Sequence, residues 1–297
     1  MTLFRHRKKV LWLNTELCLI RGFQYIPSSV GLEILSFPTN WFTRAIRTNL
    51  FHAIAFGQVE IEHAGGRILW IVDLSDLEKS LSADLLDNLA VEAGLRGLHF
   101  LTASASREDY AFKYLSDAGY TPTIWQKIWQ CDSDIRAVCP SGFIWKKARP
   151  SDLLSINLLQ SKLLSHNEKA ITPPINKKPP AFILFHDDTL CGYANVMTAQ
   201  DKVMITPIID PEKPLYPSVI KNLIRKFFRR LSTYYLVQTS SQQWIETVMG
   251  VQILLIQPRQ EIMVKYLAVR DKQLVTDYNR SRRNQHTDIV TPLRRTD

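Results

Sequence analysis

The side chains in this sequence that could do chemistry are few and scattered. His186, Asp187 and Asp188 stand together, a grouping able to ligate a metal or relay a proton. They also fall between two apolar runs. There, Asp-Asp-Thr is ordinary turn chemistry, because aspartate hydrogen-bonds its own backbone and tolerates the left-handed region. The turn is the reading adopted. His52 and His63 bracket one apolar stretch, and their odd separation puts them on opposite faces of a strand, so no shared site is expected. The four cysteines, Cys18, Cys131, Cys139 and Cys191, form no C-x-x-C pair and have no histidine at metal spacing, so no metal site is expected. Cys18 and Cys191 lie in apolar runs as small core residues; Cys131 and Cys139 flank a linker and could meet. The sequence has no G-x-S-x-G, no P-loop and no dinucleotide fingerprint. Residue types alone therefore assign no catalytic residue.

The elements that would position a site are clearest over residues 68–130. An apolar run at 68–72 precedes a polar hinge and an amphipathic helix beginning near Ser82. Leu85, Leu86, Leu89, Ala90 and Ala93 recur at helical spacing on one face. Gly94 is read as that helix's end, since glycine caps without a Cβ clash. A second apolar run (98–101), a short helix (106–118), a Gly119-Tyr120 turn and an alternating strand (123–131) follow. Strand–helix–strand–helix–strand is the order of a mixed α/β sheet. Upstream, 31–38 suits a strand, and Asn40 suits the N-cap of a helix through Trp41, Phe42, Ala45 and Ile46. Residues 53–63 suit another strand, with Gly65-Gly66 as a hairpin turn.

Residues 132–142, polar and carrying Pro140 and Gly142, make the best boundary. Beyond it, strands are expected at 143–147, 182–185, 191–197, 203–209, 234–238, 252–257 and 261–268, with helices at 149–163, 215–231 and 240–249. Residues 172–180 read as a surface loop. Residues 67–131 and 202–269 share one plan, so an internal duplication is expected. The units are 1–135 and 143–270, followed by a basic tail at 271–297.

The net charge of +9 is concentrated at the two ends, in Arg5, Arg7, Lys8 and Lys9 and in Arg280, Arg282, Arg283, Arg294 and Arg295. Solvated termini explain this better than a nucleic-acid groove, which needs cations and stacking aromatics on one folded face. Val10-Leu11-Trp12-Leu13 after a basic start imitates a leader, but Asn14 and Glu16 interrupt it and no small-residue cleavage site follows. No window approaches the ~18 apolar residues of a membrane span. A cytoplasmic protein is expected.

This order resembles the GNAT superfamily of acyl-CoA-dependent N-acyltransferases, twice over. Val72, Leu85-Leu86, Ala93, Gly94, Ala111 and Gly119-Tyr120 carry the likeness in the first copy. Arg149, Asp152, Gly192, Pro207 and Gly250 carry it in the second. The resemblance implies an α+β fold of two GNAT-like domains, each a mixed, mainly antiparallel sheet flanked by helices. It also implies acetyl-CoA as cofactor and an amine acceptor that attacks the thioester directly.

In that family the loop after the fourth strand reads Q/R-x-x-G-x-G/A, and its amides hold the pyrophosphate at a helix N-terminus. Here the segment is Leu77-Glu78-Lys79-Ser80-Leu81-Ser82, with serines at both glycine positions and Leu77 in the leading place. Ser80 or Ser82 could equally cap its own helix. In the second copy, residues 210–217 contain three prolines, each without the N–H a phosphate would use. The resemblance places a cofactor site at Val72, Leu74, Lys79, Ser80, Leu81, Ser82 and Ala83. The tyrosine that many members place four residues before the Gly-aromatic turn is Leu115 in one copy and Glu246 in the other. Two readings follow: an acetyltransferase, or an inactive relative acting as a binding or scaffold module.

Overall fold

The computed structural model describes residues 10–21, 40–47, 54–62, 64–73, 80–131, 140–176, 179–199, 201–213, 217–227, 233–250 and 253–268. The first part contains β1 (Val10–Trp12), α1 (Thr15–Arg21), β2 (Trp41–Arg47), β3 (Ile54–Glu62), β4 (Gly65–Asp73), α2 (Ser80–Leu95), β5 (Phe100–Ser106), α3 (Tyr110–Asp117) and β6 (Thr121–Cys131). The second contains β7 (Phe143–Lys147), α4 (Leu153–Leu163), α5 (His166–Ile171), β8 (Phe182–His186), β9 (Thr189–Ala199) and β10 (Lys202–Ile209). It continues with α6 (Pro217–Arg225), β11 (Thr233–Thr239), α7 (Trp244–Met249), β12 (Ile253–Leu255) and β13 (Gln260–Tyr266).

All the strands among the described residues join one sheet, ordered β2-β3-β4-β5-β13-β6-β11-β10-β9-β8-β7, with β1 attached to β4 and β12 to β6. The sheet is symmetric about its middle. β5 runs parallel to β4 from the pair Gly65–Phe100, and β11 runs parallel to β10 from the pair Lys202–Thr233. Between these halves lies the row Ser106–Gln260–Gln126–Thr239, in which Gln260 and Gln126 face each other. Their side chains are buried, and Gln126 Nε2 donates to Gln260 Oε1 at 3.3 Å. Each half thus closes on a strand of the other. β13 fills the place between β5 and β6, while β6 pairs with β11. The expected duplication is present, and the two copies have exchanged their last strands.

Alternation sets the two faces. Leu101, Ala103, Met263 and Ile68 pack with Leu85, Leu86 and Leu89 of α2 and Leu115 of α3. Leu236, Ile205 and Trp129 pack with α6 and α7 through Ile220, Leu223, Ile245 and Met249. On the opposite face, α4 covers Tyr193 and Ile208 through Ile156 and Leu159. There α1 spans the middle, with Leu17 against Leu69, Trp70 and Val72, and Ile20 against Ile128, Met204, Tyr235 and Val237.

Three local expectations are corrected. The helix expected after Asn40 is strand β2, paired along its length with β3; aromatic and β-branched residues there favour a pleated surface over a helix. Gly65 and Gly66 lie inside β4, where a Cβ on Gly65 would overlap the Phe100 ring and one on Gly66 would press on Leu101 and Val59. Gly94 is still helical, and Gly97, with φ +83°, takes the left-handed position that ends α2. Asp187 and Asp188 do form the expected turn, both at positive φ. The strand at 31–38, His52, His63 and Cys139 lie outside the described residues.

Candidate functional site

In each half the parallel strand pair is bonded only at its start. β4 and β5 share three residue pairs ending at Arg67–Thr102, and β10 and β11 share four ending at Ile205–Leu236. Beyond those points the strands diverge and leave free backbone edges, the natural berth for an extended, amide-bearing ligand.

The first berth is filled by the chain itself. β1 lies antiparallel on β4, pairing Val10 with Val72, Leu11 with Ile71 and Trp12 with Trp70. Leu13 N donates to Leu69 O at 3.0 Å, and Ser104 N on β5 donates to Leu13 O at 2.8 Å. Ser104 Oγ adds a bond to the same carbonyl at 3.0 Å. The Leu13 side chain is fully buried among Ile71, Leu101 and Ala103. One residue thereby bridges the two diverging strands. Of the residues expected to hold a cofactor, Val72 is buried between Val10 and Phe56 and has no free edge. Ser80, Leu81, Ser82 and Ala83 form the first turn of α2, while Leu74 and Lys79 lie outside the described residues. Leu115, at the tyrosine position, is buried and carries no proton to give. Tyr114 makes an edge contact with Tyr110.

The second berth is closed by different means. Asp210 N bonds back to β9 at Cys191 O, and Ile209 N points the other way, to Gln242 Oε1 at 2.9 Å. By the alternation of an antiparallel ladder, Pro207 faces the same way as Ile209, and it has no N–H. Gln242 is itself held by Trp244 Nε1 at 3.0 Å. Nearby, buried Glu168 accepts from Ser165 N, Ser165 Oγ, Ser240 Oγ and Ser241 N. Burial works to raise the pKa of Glu168, and these bonds outweigh it, holding the carboxyl below its ordinary range. Glu246, at the second tyrosine position, is half exposed and paired with Lys127 at 2.6 Å. Among the described residues, neither berth leaves open the strand-edge amides with which a pantetheine arm would pair.

The larger of two open cavities among the described residues, about 770 Å³, lies on the face carrying α1, α4 and α5 and reaches from Arg67 in the first half to Thr206 and Thr239 in the second. At one end Arg67 pairs with Glu62 at 2.8 Å and with Glu16 of α1 at 3.7 Å. Burial pushes the Glu16 carboxyl up; Arg67 opposes the shift and Glu62 adds to it. Asn14 lines the same cavity and caps α1, its Oδ1 accepting from Leu17 N at 3.1 Å. Gln160 of α4 also lines it and donates through Nε2 to Thr172 O at 3.1 Å and to Pro173 O. Sequence reading passed over Asn14, Glu16, Arg67 and Gln160. The usable signal was Asn14 three residues before Leu17 at a helix start. Among the described residues no His, Cys, Asp and Glu cluster could hold a metal, and no helix is long and apolar enough to cross a membrane.

No family model matches this sequence, and a search of the curated proteins finds no relative. Solved structures do match. A GCN5-related N-acetyltransferase from Sphaerobacter thermophilus aligns over 79% of this chain and 98% of its own, with 11% identity and a TM-score of 0.50. A functionally unknown conserved protein from Staphylococcus epidermidis aligns over 80% and 98%, with 6% identity and a TM-score of 0.52. A tandem GNAT protein from the clavulanic acid biosynthesis pathway aligns over 82% and 88%, with 10% identity and a TM-score of 0.49. Identities this low speak for the fold alone. With two strand–helix–strand units in matching register across one sheet, this chain has the α+β fold of the GNAT superfamily in tandem.

Proposed function

We propose that this protein is a catalytically inactive tandem GNAT-fold protein that works as a binding module, with residues 1–135 and 143–270 as its two units. The observation that carries this reading is the placement of Leu13. Its N–H and C=O occupy both diverging strands of the first cleft, where a cofactor's amides would otherwise pair. Pro207 and Gln242 support the same reading in the second cleft, and at the two positions where the resemblance implies an acid, Leu115 has no proton to give and Glu246 is paired with Lys127. The inter-unit cavity is then the place where a ligand would sit.

A second reading is that an acetyl group passes from acetyl-CoA to an amine by direct attack. It draws on the fold, and on the start of α2 at Ser80, whose first-turn amides at Ser80, Leu81, Ser82 and Ala83 would be the helix N-terminus offered to a pyrophosphate. Calorimetric titration of acetyl-CoA into the full chain separates the two. The binding-module reading expects no saturable heat and no thermal shift at millimolar ligand. Saturable binding would overturn it in favour of acyl transfer.

A further inference from the structure

The other face of the sheet carries the smaller cavity, about 450 Å³, where aromatic rings and cations meet. Its lining includes Trp125 and Lys127 of β6, Trp244, Glu246 and Thr247 of α7, and Arg259 just before β13. Trp125, Lys127 and Trp129 alternate along β6, so all three point to the side where Trp129 packs with α6 and α7. The inter-unit cavity lies on the opposite side, lined by Ile124 and Gln126. The Arg259 guanidinium sits over the Trp125 ring, 4.9 Å from its centroid, and Lys127 Nζ lies 5.5 Å from the centroid of Trp129. Trp125 stands directly opposite Glu261 in the sheet. That buried carboxylate accepts from Arg107 Nε at 2.9 Å and pairs with Arg259 at 3.2 Å, so two guanidiniums flank one charge.

Three cations thus share this corner with two carboxylates, and each keeps donors to spare. A guanidinium has five N–H groups and an ammonium three. Arg107 and Arg259 are 66% and 48% exposed, and Glu246, the partner of Lys127, is half exposed, so its pair is screened and weak. An anion can therefore be taken up here without breaking the contacts to Glu261. Cations beside stacking rings on one folded face are what unpaired bases require: the cations neutralise phosphates, and an indole gives any base a π surface. A duplex gains only the first of these, because its bases are already stacked on one another. The cavity has room for one flat group, at the small end of ligand pockets. The chain's net charge of +9 adds a field that draws polyanions toward it.

We infer that this corner binds single-stranded nucleic acid, one unpaired base lying against the indoles of Trp125 and Trp244 and the adjoining phosphates taken by Arg107, Arg259 and Lys127. The inference goes beyond the binding-module reading and uses a different face of the sheet. Fluorescence anisotropy on the full chain tests it, with labelled oligothymidylate and oligouridylate of about twelve nucleotides, enough for one site, as probes. A duplex of the same length is the comparator. At least one single strand should bind, about tenfold more tightly than the duplex. Trp125→Leu should weaken the single strand about tenfold, the loss of one stacked base, and leave the duplex unchanged. Arg259→Gln leaves Glu261 to Arg107, and should lower the slope of log affinity against log salt by about 0.7, one phosphate contact. Because Arg259 is half exposed, that variant folds and tests the site even where Trp125→Leu melts early. Three results would overturn the inference: no binding by either probe, equal affinity for single strand and duplex, as the basic tails alone would give, or wild-type binding in both variants. None of them touches the acetyl-CoA titration, which tests the inactive reading by itself.

Discussion

Leu13 is the residue at which the inactive reading and the stability of the fold meet, so its truncation is the sharpest test. Leu13→Ala keeps both backbone bonds, to Leu69 and Ser104, and removes only the side chain. That side chain is fully buried in a cluster that also holds Ile71, Leu101 and Ala103, so the deleted methyl groups leave a cavity in packed surroundings. Leucine-to-alanine changes at such sites cost about 2–5 kcal/mol, and a middle value of ~3 kcal/mol applies where backbone bonds fix the neighbours. For a chain of this size each kcal/mol lowers the melting temperature by about 2 °C, so a drop of roughly 6 °C is expected. Scanning calorimetry measures it, with Val91→Ala as control. Val91 is 63% exposed on α2, and its loss should cost at most about 0.5 kcal/mol. If Leu13→Ala melts within about 1 °C of wild type, the side chain is not packed as described. β1 would then be a loosely held strap, and the case that it closes the first cleft for good would fail.

Three further perturbations follow from the same geometry. Gly65→Ala places a methyl group on the Phe100 ring and should destabilise by about 1–3 kcal/mol through overpacking, read by urea unfolding; a neutral result would refute the close approach of β4 to β5. Glu168→Gln removes the charge that four donors converge on, and should cost about 2 kcal/mol at neutral pH. Because the folded carboxyl titrates below its ordinary value of 4.5, its contribution is complete above that value and is lost as pH falls through the folded pKa. The gap between wild type and variant should therefore close on acidification, and a gap independent of pH would refute the charge's role. Burial pushes the Cys131 thiol to about 12 and the Cys191 thiol to about 11, and both are buried, so both should react with a disulfide reagent at mildly alkaline pH only on unfolding. Rapid labelling of either in the native protein would contradict its placement.

Much of this architecture was legible from local pattern. Helical spacing through Leu85, Leu86, Leu89 and Ala93 reports the buried face of α2, and it agrees with the structure; the half-buried alternation expected at 123–131 does not hold, since Ile128 and Trp129 are both buried under cover on opposite faces of β6. Residues 41–46 were misread because aromatic and apolar residues at i, i+1, i+4 and i+5 satisfy both periods, and only the partner strand β3 decides between them. Partner identity is what local pattern lacks. Nothing in Gln260–Tyr266 says that it pairs with β5 rather than with its own half, and nothing in Val10–Trp12 says that it lies along β4 instead of heading a leader. Those outcomes are set by long-range packing. The candidate site was less legible still, since the cavity's lining is assembled from both halves of the chain only through long-range packing. One local signal was passed over: Ser165-His166-Asn167-Glu168 is a capping box, and it marks the start of α5.

The exchange of β6 and β13 has a consequence for biosynthesis. When the first half has emerged from the ribosome, the slot between β5 and β6 has no occupant, because the strand that fills it lies more than a hundred residues further on. Until residues 260–266 appear, two strand edges stand unpaired beside an apolar core, the condition in which nascent chains aggregate or pair with the wrong neighbour. Neither half can therefore mature ahead of the other. Splitting the gene at the linker should yield two sticky fragments that become a well-behaved protein only when made together.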